Sequence, residues 1–389
     1  MMIMQKTRIL FVIPSFNTGG TVSSLVSIIN SQFSSLYDID VFSIKKSGSN
    51  ETLSFYDIGL NDAISAVHCG FSSLTKKERI KFSLLKILLR IPFIGSFINR
   101  HVEKMTIRRI EKKNNYDYVV AFQEDYTTRF VKNFHCEKKI AWVHCDYAYA
   151  IDKSKSELEL YSDYYRIVCV SNYTRKEFVN RYPSLGNRTI AIHNLFDASI
   201  IKEKSAITIE DSQFESSAFS ILSVGRISAV KQFSLIPSIA ADLLSRNLLF
   251  KWYIIGNANY QDELQKLNNE IEKYGVQDCV LYLGGKNNPY PYFVKSDLLV
   301  CLSKSEACPM VFNEAKVLRL PILSTDFGSS YEFIEEGKNG FITSIEQIPV
   351  KLEELIINKE SLYNMKKASL ADADDSNGII LSQLRQLFE

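Results

Sequence analysis

Short apolar runs recur along the chain, each closed by a turn residue and followed by a longer stretch of helical spacing. RILFVIPSF (8–16), DIDVFSI (38–44), YDYVVAF (116–122), KKIAWVH (138–144), RIVCVS (166–171) and TIAIHN (189–194) are continuous rather than alternating. A strand that is apolar on both faces is one covered by helices on both sides, which predicts a parallel sheet. A polar stretch, KEKSAITIEDSQFESSA (202–218), interrupts the pattern, and it restarts with FSILSVGR (219–226), KWYIIGN (251–257), CVLYLGG (279–285), LLVCLS (298–303) and PILSTDF (321–327). The expected class is α/β with two doubly wound, Rossmann-like domains, 1–199 and 200–369, and an acid-capped terminal helix over 370–389 that returns to the first domain. At 389 residues the chain exceeds what one core usually serves. Open parallel sheets bind ligands outside the carboxyl ends of their strands, so chemistry is expected at strand ends and in a cleft between the domains.

Composition changes this picture little, because 46% hydrophobic and 23% charged residues are ordinary for a globular protein. The seven cysteines are an odd number without a C-x-x-C pair and several sit in apolar runs, which points to reduced thiols and a cytoplasmic location. MMIMQKTRILFVIPSF runs into a turn without a small-residue cleavage site, so it reads as a first strand and not a signal peptide. Charge is more informative. The net charge is +2, yet residues 76–113 carry twelve Lys/Arg against three Glu, leaving the rest at 2 − 9 = −7. The apolar middle of that segment, 82–98, is interrupted by Lys86 and Arg90 and is expected to bend at Pro92 and Gly95. It falls short of the roughly 20 apolar residues of a membrane span. A basic amphipathic segment lying on an anionic membrane surface fits; a buried helix pair with a solvated charged face is the alternative. The modest net charge argues against nucleic acid as a partner.

Three constellations lie at predicted strand ends. After the first strand, NTGGTVSSL places Gly19 and Gly20 at a turn into a helix, whose free N–H groups form an anion site. The full G-x-G-x-x-G pattern and the G-x-x-x-x-G-K-[ST] loop are both missing, which argues against a nucleoside triphosphatase. SVGRISAVKQF sets Arg226 and Lys231 five residues apart across a turn, able to neutralise a diphosphate. SEACPMVFNEAKVL sets Glu306 before, and Glu314 inside, a helix that Pro309 opens. Carboxylates accept from vicinal hydroxyls and a helix start favours phosphate oxygens, so together they suit a nucleotide-sugar. Two D-x-D pairs, Asp38/Asp40 and Asp372/Asp374, are placed as turn and capping residues, and no metal site is expected.

These segments, together with IIGNANYQDELQKL, YLGGKNNPYPYFVKSDLLVCLSKSEACPMVFNEAKVLRLPILSTDFGSSYEFIEEGKNGFI and FVIPSFNTGG, resemble the family 4 retaining glycosyltransferases of GT-B fold, of the kind that builds bacterial polysaccharides. The resemblance spans nearly the whole chain and is strongest over 219–343. It implies that Arg226, Lys231, Gly19 and Gly20 meet the donor diphosphate, that Glu314 meets the ribose, and that Glu306 with the backbone of Ala307, Cys308, Pro309 and Met310 meets the donor sugar. Gly284, Gly285 and Lys286 would border the base. His144 of AWVHCDY matches a histidine that reaches the donor sugar in many members, and Asp146 is a candidate for the acceptor hydroxyl. The chain departs from the family in GGTVSSL, which lacks a small-acidic pair, and in Ala307, where glycine is common. The implied activity is metal-independent, without a cofactor beyond the nucleotide-sugar co-substrate. It moves a hexose-type sugar from a UDP-sugar, or next a GDP-sugar, to a saccharide or polyprenyl-diphosphate-linked acceptor, on the inner face of the cytoplasmic membrane. A nucleotide-sugar epimerase of the same fold and an inactive nucleotide-sugar or membrane-binding partner are the other readings.

Overall fold

A computed structural model describes residues 6–15, 19–44, 64–69, 92–150, 157–214, 218–258, 261–368 and 373–389. They divide into two compact units, Met1–Leu195 with Ile380–Glu389, and Phe196–Ile379. The division falls four residues before position 199. The helix Ala198–Ser205 belongs wholly to the second unit, where Ala198 and Ile201 pack with Phe196 on Val317.

The first unit holds a seven-stranded parallel sheet in the order β3-β2-β1-β4-β5-β6-β7. Its strands are β1 (Arg8–Ile13), β2 (Asp38–Ser43), β3 (Ile64–Cys69), β4 (Tyr118–Ala121), β5 (Lys138–Val143), β6 (Arg166–Cys169) and β7 (Thr189–Ala191). Every residue from Ile9 to Ile13 is fully buried, as a central parallel strand requires. Ile9 pairs with Ile39 on one side and Tyr118 on the other. β3 was not among the strands expected, because ISAVHC lacks the unbroken apolar run that marks the others.

Asp40 lies at the amino end of this sheet. Its Oδ2 accepts from the Tyr116 hydroxyl at 2.5 Å and faces Arg8 Nη2 at 3.6 Å. It is therefore a buried network residue inside β2 rather than a turn or cap. Asp372 lies outside the described residues, and Asp374 falls within the helix Ala373–Phe388.

The second unit holds a six-stranded parallel sheet, β10-β9-β8-β11-β12-β13. It comprises β8 (Phe219–Val224), β9 (Phe250–Ile255), β10 (Val280–Tyr282), β11 (Leu298–Cys301), β12 (Ile322–Thr325) and β13 (Gly340–Thr343). A buried relay crosses its centre: Trp252 Nε1 donates to Ser223 Oγ at 3.0 Å, and Ser223 Oγ donates to the Val300 carbonyl at 2.7 Å. No polar atom of that relay is left unpaired, so it can sit inside an apolar core.

Of the basic segment, residues 76–91 lie outside the described residues, and Pro92–Lys113 is one 22-residue helix. The bend expected at Pro92 involves residues before it that lie outside the described ones; at Gly95 the helix shows no break. The helix runs on through Gly95 to Lys113.

The terminal helix closes the first unit's core. The Phe388 ring lies 5.1 Å from Tyr118, 5.4 Å from Phe33, 5.9 Å from Tyr37 and 6.2 Å from Phe11. Removing a buried aromatic ring costs about 3–5 kcal/mol. Phe388→Ala is expected to lower the urea-unfolding free energy of the first unit by that amount; a loss below about 1 kcal/mol would show the site collapsing around the gap.

Candidate active site

In each sheet the strand order reverses once, between β1 and β4 and between β8 and β11. Helices leave in opposite directions at such a point and open a crevice at the carboxyl ends of the two strands. In the second unit Arg226 and Lys231 follow β8 and Glu306 follows β11, so both flank that crevice.

The turn after β8 is shaped by two glycines. Gly225 has φ 154°, and a Cβ on it would meet Lys231 Cε at 3.1 Å. A Cβ on Gly256, after β9, would land 1.7 Å from the Gly225 carbonyl oxygen, so only glycine fits. Backbone bonds from Gly225 N to Ile255 O (2.9 Å) and from Ile227 N to Asn257 O (3.0 Å) extend the pairing beyond the strands. Lys231 is thereby folded back over the sheet end, and Lys304 N donates to Val230 O at 2.8 Å, tying its loop to the one after β11.

Lys231 Nζ forms an ion pair with Glu306 Oε1, and the two side chains are 19% and 17% exposed, so water screens the pair only partly. Burial is the largest single influence and works against the ammonium, but the charge and hydrogen bond of Glu306, together with Cys301, hold the Lys231 pKa above its usual value, with Arg226 pulling the other way. Ser303 Oγ donates to the same Oε1 at 2.8 Å, Thr325 Oγ1 donates to Ser303 O at 2.6 Å, and Ser329 Oγ donates to Glu306 O at 2.6 Å. Among the described residues no hydrogen bond is made to Oε2. The carboxylate is thus gripped by one oxygen and presents the other.

Glu314 lies in the helix Met310–Val317, with Pro309 as the preceding cap and Ala307 and Cys308 buried before it. It shares a helix face with Met310 and Val317, which pack against Phe196, Ala198, Ile201 and Tyr290. Burial in that apolar setting is the larger influence and Lys231 the smaller, opposing one; the carboxyl is pushed up to about 7. Burial, and then the charge of Glu314, raises the Tyr290 phenol as well.

Gly284, with φ 73°, accepts from Gly256 N at 3.0 Å, which keeps the GG loop beside the β8 turn. Lys286, in the same loop, has its ammonium engaged. Its Nζ pairs with Asp211 Oδ2 at 2.7 Å.

In the first unit the helix Gly20–Asn30 starts after β1, with Gly19 as its cap. Gly19 has φ 167°, extended backbone open to any residue, and a Cβ there would meet nothing within 4 Å. Gly19 is therefore not required by its own backbone angle or by close packing, and the turn expected around it involves residues outside the described ones. Residues 16–18 lie outside the described residues. His144 follows β5, its ring 4.8 Å from the Phe122 ring, and its buried Nε2 has no partner among the described residues. Burial lowers the imidazole pKa to about 3, so the ring is neutral at physiological pH. Asp146 is buried beyond it, its carbonyl accepting from Tyr149 N at 3.1 Å.

The sequence reading missed Gly225, Gly256, Ser303, Tyr290 and Glu124. Glu124 follows β4, the other strand of the first switch point, and accepts from the His144 N–H at 2.7 Å. An acidic residue just past an apolar run was a usable signal there, as it was for Glu306.

Residues 205–371 match the family of glycosyl transferases group 1. The spore coat protein SA of Bacillus subtilis is 26% identical over 288 residues, 69% of this chain and 76% of that protein. The N-acetylgalactosamine-N,N'-diacetylbacillosaminyl-diphospho-undecaprenol 4-alpha-N-acetylgalactosaminyltransferase of Campylobacter jejuni is 23% identical over 319 residues, 80% of this chain and 81% of that one. The crystal structure of HepE from Anabaena, in complex with UDP, superposes with a TM-score of 0.71 at 17% identity, covering 98% of this chain and 100% of that one. That likeness shows the GT-B fold, two Rossmann-like domains.

Glu314 yields a pH test. Its folded pKa lies above the usual 4.5, so the folded protein holds a proton that the unfolded chain releases between pH 4.5 and about 7. The stability this carboxyl contributes therefore falls as pH rises through that window and is level above it. The unfolding free energy of the wild type minus that of Glu314→Gln is expected to drop by up to about 3 kcal/mol from pH 4.5 to 7; a flat difference would mean the carboxyl is solvated.

Proposed function

We propose that this chain, a glycosyltransferase of the GT-B fold, is a retaining, family 4 enzyme that transfers a hexose-type sugar from a UDP-sugar to a saccharide on a polyprenyl diphosphate. The observation that carries the reading is the Lys231–Glu306 pair at the switch point, with Arg226 close enough to weaken the Lys231 ammonium. Two cations beside a carboxylate with one free oxygen match a diphosphate joined to a hydroxyl-rich ring. UDP in HepE and the undecaprenyl-linked saccharide in the name of the Campylobacter enzyme support the choice of donor and acceptor. GDP is the second candidate base.

In this mechanism Arg226 and Lys231 hold the diphosphate, Glu314 accepts from the ribose hydroxyls, and Glu306 accepts from the donor sugar through Oε2. The backbone of Ala307 to Met310 borders the sugar, and the loop at Gly284 and Gly285 borders the base. His144, neutral, offers a ring nitrogen to the donor sugar, and Asp146 belongs to the loop on which the acceptor hydroxyl arrives. The bond from the anomeric carbon to the diphosphate oxygen breaks while the acceptor oxygen bonds the same face, and the leaving phosphate takes the acceptor proton. The protein contributes positioning and charge stabilisation on the departing diphosphate, with no metal required. When the diphosphate draws Lys231 away from Glu306, Ser303 still holds Oε1.

Nucleotide release from a panel of UDP-, GDP- and dTDP-sugars, with detergent-dispersed polyprenyl-linked acceptors and EDTA, tests this. Release is expected from one donor only when acceptor is present, with kcat lowered about 10²–10³-fold in Lys231→Met and Glu306→Gln. Isomerisation of the donor without acceptor, or variants as active as the wild type, would sink the reading.

The membrane part rests on the helix Pro92–Lys113. Arg100, Lys104, Arg108 and Lys112 repeat every four residues and are exposed, while Val102, Thr106, Ile107 and Ile110 are buried behind them. The helix's two acids turn to the body: Glu103 accepts from the Tyr126 hydroxyl at 2.5 Å, and Glu111 from His135 N at 2.6 Å. Among the described residues none of the four cations is in a salt bridge. Each Lys or Arg near an anionic bilayer contributes about 1 kcal/mol. Reversing all four to Glu is expected to abolish sedimentation with phosphatidylserine vesicles while activity on a short-chain acceptor stays; unchanged sedimentation would remove the helix from the membrane contact.

A further inference from the structure

We propose that Glu124 is a positioning residue, whose inward-turned carboxylate sets the place of His144 at the carboxyl end of β5 by gripping its main-chain N–H. The proposal rests on the reading that His144 meets the donor sugar.

The sheet itself leaves this N–H without a partner. The pairing of β5 with β6 ends at Val143 and Cys169, with Val170 N reaching back to Val143 O at 3.3 Å. One residue further, the His144 N–H has no strand to donate to, and a buried unpaired N–H is costly. Glu124 Oε2 takes it at 2.7 Å. The same carboxyl group is hydrogen-bonded to the Cys145 side chain, so it holds two consecutive residues of the loop. Burial raises the Glu124 pKa, and the His144 N–H and the Cys145 side chain oppose that rise.

The imidazole does not fix itself. Nε2 is buried and has no hydrogen bond among the described residues, so the ring's place follows from the backbone at 144 and from the Phe122 ring it lies against. Glu124 controls the first of these. Its own placement is held in turn by a constrained turn: Asp125 has φ 61° and ψ −112°, a region that non-glycine residues rarely adopt. Such strain costs about 1–3 kcal/mol and persists only where neighbours over-determine it. Here Arg129 does so twice, its N–H donating to Asp125 O at 3.0 Å and its guanidinium meeting the Asp125 carboxylate at 3.0 Å. Thr128 Oγ1 also donates to Gln123 O, at 3.2 Å. The bend this produces turns Glu124 across the end of the sheet.

The arrangement separates geometry from charge. Glu124→Gln keeps a carbonyl oxygen at the same reach and is expected to keep kcat and donor KM within about threefold. Glu124→Asp keeps the charge but withdraws the oxygen by one methylene, and it and Glu124→Ala are expected to lose kcat about 10²-fold at near-constant donor KM, as for a displaced reacting group. Glu124→Ala in a His144→Ala background is expected to cost nothing more. The reverse order, Asp active and Gln inactive, or full multiplication of the two losses, would overturn the proposal, because Glu124 would then act by its charge on substrate. A fall in thermal stability with kcat per folded molecule unchanged would overturn it as well. If His144→Ala alone retains full kcat, the role of His144 fails, and the His144 amide proton resonance decides the grip. It is expected far downfield in the wild type and Glu124→Gln and upfield in Glu124→Ala; an unmoved resonance would overturn the grip.

Discussion

The contact between the Lys231 ammonium and the Glu306 carboxylate is what the strand ends of the second unit are organised around. Two opposite charges mostly removed from water attract strongly but lose hydration, so such a pair persists only where its geometry is held and its remaining valences are satisfied. The surrounding residues meet both conditions. Gly225 and Gly256 let the β8 turn close enough for Lys231 to fold over the sheet, and the bond from Lys304 N to Val230 O locks the two loops together. Ser303, itself held by Thr325, donates to the same oxygen of Glu306 that meets Lys231.

The first unit solves a related problem with a carboxylate and no cation. Its sheet is likewise apolar on both faces, so polar chemistry is confined to the carboxyl ends of the strands. There Glu124 reaches across from β4 to the end of β5 and supplies the acceptor that the sheet withholds from His144. Both units thus place an acidic residue just beyond a strand beside the switch point. In one the acid is turned toward a lysine, in the other toward the backbone.

Glu314 illustrates how environment and not residue type sets ionisation. It shares a helix face with Met310 and Val317 in an apolar cluster, and burial there pushes its carboxyl up to about 7. On the Pro92–Lys113 helix the same logic acts at the surface. Its acids are consumed by Tyr126 and His135, so the basic residues at four-residue spacing are left as an unbalanced stripe.

The parallel sheets were legible because burial on both faces demands unbroken apolar runs, and eleven of the strands announce themselves that way; β3 and β13, whose ISAVHC and GFIT are short of apolar residues, do not. That Arg226 and Glu306 lie just past strand ends was legible for the same reason, since charged residues soon after such runs have to emerge at a sheet edge. What the chain by itself determined is therefore the layer class, the position of the charges along it and the family resemblance. Which partner each charge takes was decided only by tertiary structure: Lys286 turns to Asp211 and Glu124 to the His144 N–H, while Asp40 sinks into a network with Arg8 and Tyr116. Those choices join residues 20 to 76 positions apart or rest on a turn such as the one at Asp125, and no local pattern encodes a contact whose distance is set by strand order.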